Sequence, residues 1–296
     1  MTPTAANMNL LFSGFSAAYN KAFDGAPSRF REVAMVAPSS AREETYAWLG
    51  ALAPMREWVG DRVVHRLRLH GYTVVNKKWE QTISVPRTDV EDDRIGVYAP
   101  MFEVMGRQAA MQPDELVFGL LGRGFAERCH DGQYFFDADH PVGMGGAPAS
   151  VSNVQAGGGP AWFLLDCGQP VKPLIFQERI RPQFTALTDP ADEPVFWRDE
   201  YVYGARARNN AGFGLWQCAF ASKAPLDAAG YAAARAAMQE FRSDAGKPLG
   251  IMPTHLVVPP ALESAALRLL NAAQVAGTTN EWAGTAKIVV TPYLAA

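Results

Sequence analysis

One short stretch of the chain concentrates side chains that could do chemistry. Within about a dozen residues it holds Cys129, His130, Asp131, Asp137, Asp139 and His140. Imidazole and carboxylate groups that lie close together can hold a divalent metal ion. One interpretation of this stretch is therefore a metal-dependent hydrolase whose site consists of His130, Asp137, Asp139 and His140.

The spacing of these side chains argues against a metal site. The stretch contains no HxH, HExxH or EF-hand pattern, and aromatic residues and a proline flank Asp137 and Asp139. The competing interpretation is a turn capped by aspartate side chains, with His140 held ahead of Pro141. The sequence favours this second interpretation, and it predicts no enzyme, no catalytic residue, no metal and no cofactor.

The serines, glycines and cysteines form no catalytic or nucleotide-binding motif either. Ser150 lies outside any GxSxG elbow, and no glycine cluster is followed by Lys-Ser or Lys-Thr, as a P-loop requires. The three cysteines, Cys129, Cys167 and Cys218, are far apart and lack CxxC spacing. They therefore support neither a disulfide framework nor a zinc ribbon, and they indicate a reducing, cytoplasmic environment.

A second candidate is a basic segment at positions 62–78, which contains no acid. Its cations are Arg62, Arg66, Arg68, Lys77 and Lys78. Together with Tyr72 and Trp79 they could stack on and neutralise a single-stranded nucleic acid. An acidic block follows directly, formed by Asp89, Glu91, Asp92 and Asp93. Separated blocks of opposite charge favour pairing between copies of the chain over nucleic-acid binding.

The overall composition describes a folded protein with a large core. The chain has 296 residues, of which 48% are hydrophobic and 19% charged. These values exclude disorder and fit one elaborate domain or two lobes. The net charge of −3 argues against general binding of nucleic acid through counterion release. No apolar run is long enough to predict a membrane span.

Hydrophobic periodicity predicts the helices. A first amphipathic helix carries Leu11, Phe15 and Tyr19 and ends before Gly25. The longest helical pattern runs from Val97 to about Glu127. Pro113 predicts either a kink in it or the start of a second helix, with Asp114 and Glu115 in the first turn. Shorter helices are predicted over 227–241 and 261–270.

Alternation of polar and apolar residues predicts the strands. Trp79, Ile83 and Val85 share one face of a hairpin strand, and that face needs a partner. Asn209-Asn210-Ala-Gly212 predicts a hairpin turn, and the pairs Phe135-Phe136 and Phe196-Trp197 are expected in the core. Further strands are predicted at 162–165, 171–176, 195–204, 213–222, 255–258 and 287–290. Helices and strands mix without a regular βαβ order, so the expected fold class is α+β.

Several motifs, taken in order, resemble one protein family. They include Thr45-Tyr46-Ala47-Trp48-Leu49-Gly50, Pro113-Asp114-Glu115-Leu116-Val117-Phe118, Asp131-Gly132-Gln133-Tyr134-Phe135-Phe136, Asp139-His140-Pro141 and Pro253-Thr254-His255-Leu256-Val257-Val258-Pro259-Pro260. Over nearly its whole length the chain resembles the major head subunits, or major capsid proteins, of Mu-like phages and prophages. No single motif is specific, but so many in the same order are.

The resemblance implies the Hong Kong 97-type phage capsid fold, an α+β architecture. Its parts are an N-terminal arm, an extended E-loop hairpin, a peripheral domain with a long spine helix, and an axial domain. The expected limits are 1–38 for the arm, 39–88 for the E-loop hairpin, 89–128 and 195–223 for the peripheral domain, and 129–194 and 224–296 for the axial domain.

The resemblance also implies a function and partners. The chain is expected to self-assemble into hexamers and pentamers that form the icosahedral head shell around the double-stranded DNA of a Mu-like tailed phage. It lacks a long charged helical N-terminal extension, so a separate scaffold protein and a maturation protease are expected. A portal, a decoration protein and packaged DNA held without specific binding complete the partners. The expected location is the virion capsid, assembled in the bacterial host cytoplasm, with no membrane involved.

Within this family, the two charged blocks are expected to form intersubunit contacts. The predicted contact residues are Arg62, Arg66, Arg68, Lys77, Lys78, Trp79, Asp89, Glu91, Asp92 and Asp93. Some proteins of this fold join subunits covalently through a hairpin lysine and an asparagine, with a glutamate as catalyst. Lys77 and Lys78 lie in the corresponding segment, but no matching asparagine or glutamate is identified. No cross-link is therefore predicted.

Overall fold

The computed structural model describes residues 4–50, 71–92, 94–143, 148–275 and 277–294. Its helices are α1 (Ala5–Asp24), α2 (Phe30–Val33), α3 (Arg87–Glu91), α4 (Ala99–Gly122), α5 (Glu193–Arg198), α6 (Ala228–Gln239) and α7 (Glu263–Leu270). Its strands are β1 (Ala34–Pro38), β2 (Glu43–Tyr46), β3 (Tyr72–Val75), β4 (Lys77–Pro86), β5 (His140–Val142), β6 (Ala149–Val151), β7 (Val154–Gln155), β8 (Trp162–Leu165), β9 (Leu174–Leu187), β10 (Glu200–Phe213), β11 (Ala219–Ser222), β12 (His255–Val258), β13 (Gln274–Val275), β14 (Thr278–Thr279) and β15 (Lys287–Val290). Helices and strands are mixed, which confirms the predicted α+β class. Among the described residues, no helix is both long and apolar enough to cross a membrane.

The longest helix, α4, passes through Pro113 as one element. Its 24 residues span about 36 Å at 1.5 Å per residue. No second helix begins at Pro113, so Asp114 does not lie in the first turn of one. Its buried carboxylate instead accepts hydrogen bonds from the backbone N–H groups of Arg29 (2.9 Å) and Phe30 (2.8 Å) and from the hydroxyl of Ser28 (2.7 Å). One side chain in the middle of α4 therefore fixes the segment that follows α1.

A four-stranded sheet in the order β1-β9-β10-β4 lies against α4 and α1. Strand β10 pairs antiparallel with both β9 and β4, and β1 pairs parallel with β9. The predicted turn at Asn209–Gly212 is wrong, because these residues lie inside the continuous strand β10. Asn209 is buried there, and its amide exchanges hydrogen bonds of 3.0 and 3.1 Å with Gln112 of α4. Pairing with β9 at all four residues, pairing of Asn209 with β4 and the contact with Gln112 override the local preference for a turn.

The sheet joins segments that the sequence assigned to different domains. Strand β4 belongs to the predicted E-loop hairpin, β9 to the predicted axial domain and β10 to the predicted peripheral domain. The predicted alternation within β4 is confirmed, since Val85 is buried and Trp79 and Ile83 are half-buried. Their face meets α4 of the same chain, where the amide of Gln81 donates to the carbonyl of Met105 (2.8 Å).

The base of the predicted hairpin is formed by β2 and β3. They pair antiparallel, with Glu43 opposite Val75 and Tyr46 opposite Tyr72. The segment 51–70, which contains Arg62, Arg66 and Arg68, lies outside the described residues.

The buried side chains of the described residues form two hydrophobic cores. The larger one surrounds a five-stranded sheet, ordered β15-β12-β8-β11-β7, together with α6, α7 and the second half of α4. The smaller one lies between α1, the first half of α4 and the outer halves of β9 and β10. It contains stacked aromatic rings, among them Phe15 and Phe102 with centroids 4.2 Å apart. Strands β9 and β10 and helix α4 contribute to both cores.

The prediction that all the aromatic pairs lie in the core is wrong for one pair. Phe135 and Phe136 are buried as expected, but Phe196 is 69% exposed and Trp197 is 75% exposed. The predicted strand over 195–204 begins in fact as the short helix α5, which turns about 100° per residue. Val195 therefore faces the smaller core, while the next two side chains point outward.

Candidate functional site

His140 is the centre of a buried polar cluster. It begins β5, and its side chain is completely buried. Its Nδ1 lies 2.7 Å from a carboxylate oxygen of Asp131, and its Nε2 lies 3.2 Å from Oδ1 of Asn153. The ring stacks on Trp216 with centroids 3.9 Å apart and planes 10° apart. Both ring nitrogens thus face oxygen atoms inside the larger core.

Asn153 is held so that it presents its oxygen to His140. Its amide nitrogen donates to the carbonyl of Phe135 (2.8 Å) and to that of Ala219 (3.4 Å). Its Oδ1 also accepts the backbone N–H of Asp137 (2.9 Å). The side chain of Asn153 therefore has partners for both its oxygen and its nitrogen, and it links the segment 129–143 to β11.

Asp131 is ionised within this cluster. Burial would raise the pKa of its carboxyl group, but hydrogen bonds from His140 and Cys129 and the charge of the imidazole lower it to about 2. The thiol of Cys129 lies 3.1 Å from the second oxygen of Asp131. Burial and this carboxylate strongly raise the pKa of Cys129. The thiol therefore stays protonated at neutral pH.

The arrangement fits hydrogen bonding better than a metal ion. A sulfur, an oxygen and a nitrogen of Cys129, Asp131 and His140 lie within 4.8 Å of one another. Donors around zinc stand roughly 3.3–3.7 Å apart, because each lies about 2.0–2.3 Å from the ion. The observed separations of 2.7 and 3.1 Å are those of direct hydrogen bonds.

The predicted hydrolase set does not come together. Asp137 accepts the backbone N–H groups of Tyr134 (3.3 Å) and Ala138 (2.7 Å), and Asp139 accepts the hydroxyl of Ser150. Of the predicted set, only His140 belongs to the three-residue group of donors found among the described residues. The interpretation as an aspartate-capped turn is therefore the one that the structure supports.

The Asp131 carboxylate makes stability depend on pH. Its pKa is lower in the folded chain, about 2 against an ordinary 3.8, so its stabilising effect is complete above the ordinary value and is lost as pH falls toward 2. We expect wild-type subunits to lose about 2 kcal/mol of unfolding free energy through this group between pH 5 and pH 2. The measurement is urea unfolding across that range, for wild type and Asp131→Asn. The difference between the two should shrink as pH falls; a constant difference would contradict the assignment.

The predicted acidic contacts are partly engaged within the chain. Asp89 accepts the hydroxyl of Tyr98 and lies 4.0 Å from Arg94, and Glu91 lies 3.0 Å from Arg87. Asp92 is exposed, and Asp93 lies outside the described residues.

Two of the predicted cations lie at the start of β4. Lys77 and Lys78 are exposed there, and Trp79 is half-buried with its indole N–H donating to the carbonyl of Asn209 (3.2 Å). Arg62, Arg66 and Arg68 precede this strand outside the described residues.

Two charged surfaces were not predicted. The first, the basic face, consists of Lys78, Arg206 and Arg208 on the side of the four-stranded sheet turned away from α4, together with Arg179, whose charge acts on Arg208. The second, the acidic knob, is the segment 188–199 between β9 and β10, which carries the exposed Phe196 and Trp197. The signal for the first was present as Ala-Arg-Ala-Arg at 205–208, since alternate residues of a strand share a face.

Comparison with known proteins places the whole chain in one family. The family model "Mu-like prophage major head subunit gpT" matches residues 8–294. The FluMu major head subunit of Haemophilus influenzae is 46% identical over 268 residues, covering 88% of this chain and 87% of the relative. The major capsid protein of Escherichia phage Mu is 44% identical over 306 residues, covering 99% and 100%.

Solved capsid structures show the same fold. A chain of the procapsid of bacteriophage JBD30 superimposes with a TM-score of 0.87 at 42% identity, covering 98% of this chain and 99% of that one. A chain of the JBD30 capsid decorated with minor capsid protein trimers gives 0.78 at 33% identity, covering 91% of each. The fold is thus the phage capsid fold of Hong Kong 97 type, and the chain belongs to the family of Mu-like major head subunits.

Proposed function

We propose that this major capsid protein of the Mu-like family builds the head shell from hexamers and pentamers of identical subunits. The observation that carries the proposal is the match of 98% of the chain to a procapsid subunit at a TM-score of 0.87. The relatives are structural proteins of phage heads, and we assign no catalytic role to this chain.

Other components complete the particle in this proposal. A separate scaffold protein and a maturation protease act before the shell is mature, and a portal occupies one vertex. The JBD30 capsid carries minor capsid protein trimers, which supports a decoration protein here as well. Assembly takes place in the host cytoplasm, around double-stranded DNA that the shell encloses without specific binding. We also propose that neighbouring subunits are not cross-linked through Lys77 or Lys78.

The subunit contacts proposed from the sequence pair the hairpin cations with acids of a neighbour. Lys77 and Lys78 are exposed and so is Asp92, which leaves them available for such a contact. Each exposed pair contributes only about 0.2–1 kcal/mol. Repetition around every capsomer multiplies this small energy, because many weak contacts act together in a closed shell.

Reversing the charge of Arg66 and Arg68 tests this contact. We expect wild-type chains, produced together with the scaffold protein of the same phage, to form closed shells or ring-shaped capsomers in electron micrographs. We expect Arg66→Glu/Arg68→Glu to form on the order of tenfold fewer particles, since opposed like charges cost energy at every repeat. A matched control is Arg268→Glu, which reverses an exposed arginine on α7. Shells of normal size and yield from the double variant would exclude this contact, and absence of any particle from wild type would exclude the function.

A further inference from the structure

The acidic knob has an exposed apolar tip. Pro194 and Val195 of α5 are buried, whereas Phe196 and Trp197 next to them are exposed and pack edge to face with centroids 5.1 Å apart. Asp192 and Asp189 brace the loop, since the carboxylate of Asp192 accepts the backbone N–H of Asp189 (2.9 Å). The tip is therefore shaped before it meets a partner, which lowers the entropic cost of binding.

The exposed aromatic and acidic side chains of the knob favour a cationic partner. Two large aromatic side chains in water are unfavourable unless a partner covers them, and each buries about 150–250 Å² in a contact. Around them the segment 188–199 holds four acids, Asp189, Asp192, Glu193 and Asp199, and one cation, Arg198. Aromatic faces and carboxylates both attract guanidinium groups.

The arginines of the basic face form no ion pair with the described acids of their own chain. Arg206 and Arg208 lie on the same side of β10, with Glu80 and Lys78 of β4 directly opposite them. Glu80 accepts a hydrogen bond from the hydroxyl of Thr82 (2.8 Å). Across the part of the chain that the structure describes, Arg179, Arg206 and Arg208 make no ion pair.

Arg208 lies at the centre of this face. Its Nε is buried and has no hydrogen-bond partner within the described ranges. Partial burial, followed by the charges of Arg179 and Arg206, lowers the pKa of Arg208. The guanidinium makes no ion pair among the described residues, and a carboxylate that reached its exposed part would supply the missing counter-charge.

The knob cannot reach the basic face of its own chain. Arg206 lies seven residues beyond Asp199 along β10, which is about 23 Å at 3.3 Å per residue. The knob is fixed at the start of that strand, where the carbonyl of Asp199 accepts the backbone N–H of Arg87 (2.9 Å). Any contact between the two surfaces must therefore join two subunits.

We infer that the acidic knob of one subunit docks on the basic face of a second copy of the chain. Glu193 lies opposite Arg208 in this contact, and Phe196 and Trp197 cover the neighbouring guanidinium groups. The two surfaces differ, so the contact is head-to-tail and can continue from subunit to subunit, as a shell requires. This inference rests on the proposed function, because it needs copies that assemble.

A charge-swap experiment tests the contact on the full chain. Glu193→Arg and Arg208→Glu each place like charges against each other, and we expect each to reduce the yield of shells in electron micrographs and sedimentation by on the order of tenfold. The variant that carries both changes restores opposite charges in exchanged positions, and its yield should return to within about threefold of wild type. Phe196→Ser/Trp197→Ser should also lose assembly. All side chains changed on the knob are exposed, so circular dichroism should show native folding.

Controls separate this inference from the proposed function. Glu240→Arg reverses an exposed acid at the end of α6, and it should assemble as wild type does. If wild type forms shells and both single variants form them equally well, the docking contact is wrong while the function stands. The contact is also wrong if the double variant recovers nothing, or if the single variants assemble normally and lose only binding of a minor capsid protein or of DNA. Absence of particles from wild type would overturn both proposals.

Discussion

Replacing His140 by alanine is expected to lower the free energy of unfolding of the subunit by about 3–5 kcal/mol. The imidazole is completely buried and bridges Asp131 and Asn153. Its removal leaves the Asp131 carboxylate without its main partner and opens a cavity beside Trp216. An unpaired buried charge and a cavity are each among the most destabilising results of a single substitution.

The effect can be measured by urea unfolding of unassembled subunits, followed through tryptophan fluorescence. The matched control is Asp139→Asn, one residue before His140, at an exposed position. We expect that substitution to change the free energy by no more than about 0.5 kcal/mol. A His140→Ala subunit as stable as the control would show that the cluster is not a structural element of the larger core.

The second large effect is expected from Gly106→Ala. A Cβ atom at this position of α4 would lie 2.1 Å from the backbone carbonyl oxygen of Tyr19 in α1. Alanine favours a helix over glycine by about 1 kcal/mol, but overpacking of a rigid contact costs about 1–3 kcal/mol or more. Because the obstacle is backbone, the steric cost exceeds the gain. We expect α1 to separate from α4.

Hydrogen exchange of the α1 amides and the urea midpoint measure this result. The matched control is the same substitution in α1 itself, at Gly14, where a Cβ meets nothing within 4 Å. Gly14→Ala should stabilise the subunit by up to about 1 kcal/mol, so one chemical change gives opposite signs on two packed helices. Equal stabilisation by both would refute the close contact between α1 and α4.

The elements that the sequence predicted well are those with a long regular pattern. The spine helix α4 and strand β4 each carry apolar residues at a regular spacing, and that spacing alone predicts the element. The family was likewise recognisable from ordered motifs. The intersubunit role of the charged residues stays a prediction, because their contacts depend on the position of a partner subunit.

The elements that the sequence missed depend on tertiary context. Asn209–Gly212 has the residues of a turn, yet pairing with β9 throughout, and with β4 and Gln112 at Asn209, holds it extended. Asp114 follows a proline, as a residue in the first turn of a helix would, yet it binds the backbone of residues 29 and 30 inside a continuous helix. Phe196 and Trp197 are hydrophobic enough for the core, but the rotation of a six-residue helix turns them outward. Hydrophobicity alone does not distinguish a core position from an interface position.

The antiparallel pair β9 and β10 has a mechanical consequence. It passes from the larger core through the smaller one and ends at the knob. Its register shifts twice, between Arg206 and Arg208 and again between Arg208 and Asn209, and the ladder of hydrogen bonds is interrupted there. A force applied to the knob therefore bends the pair of strands β9 and β10. The pair bends most easily at this irregularity. Subunits that meet at slightly different angles around the shell can take up the difference there, while both cores stay intact.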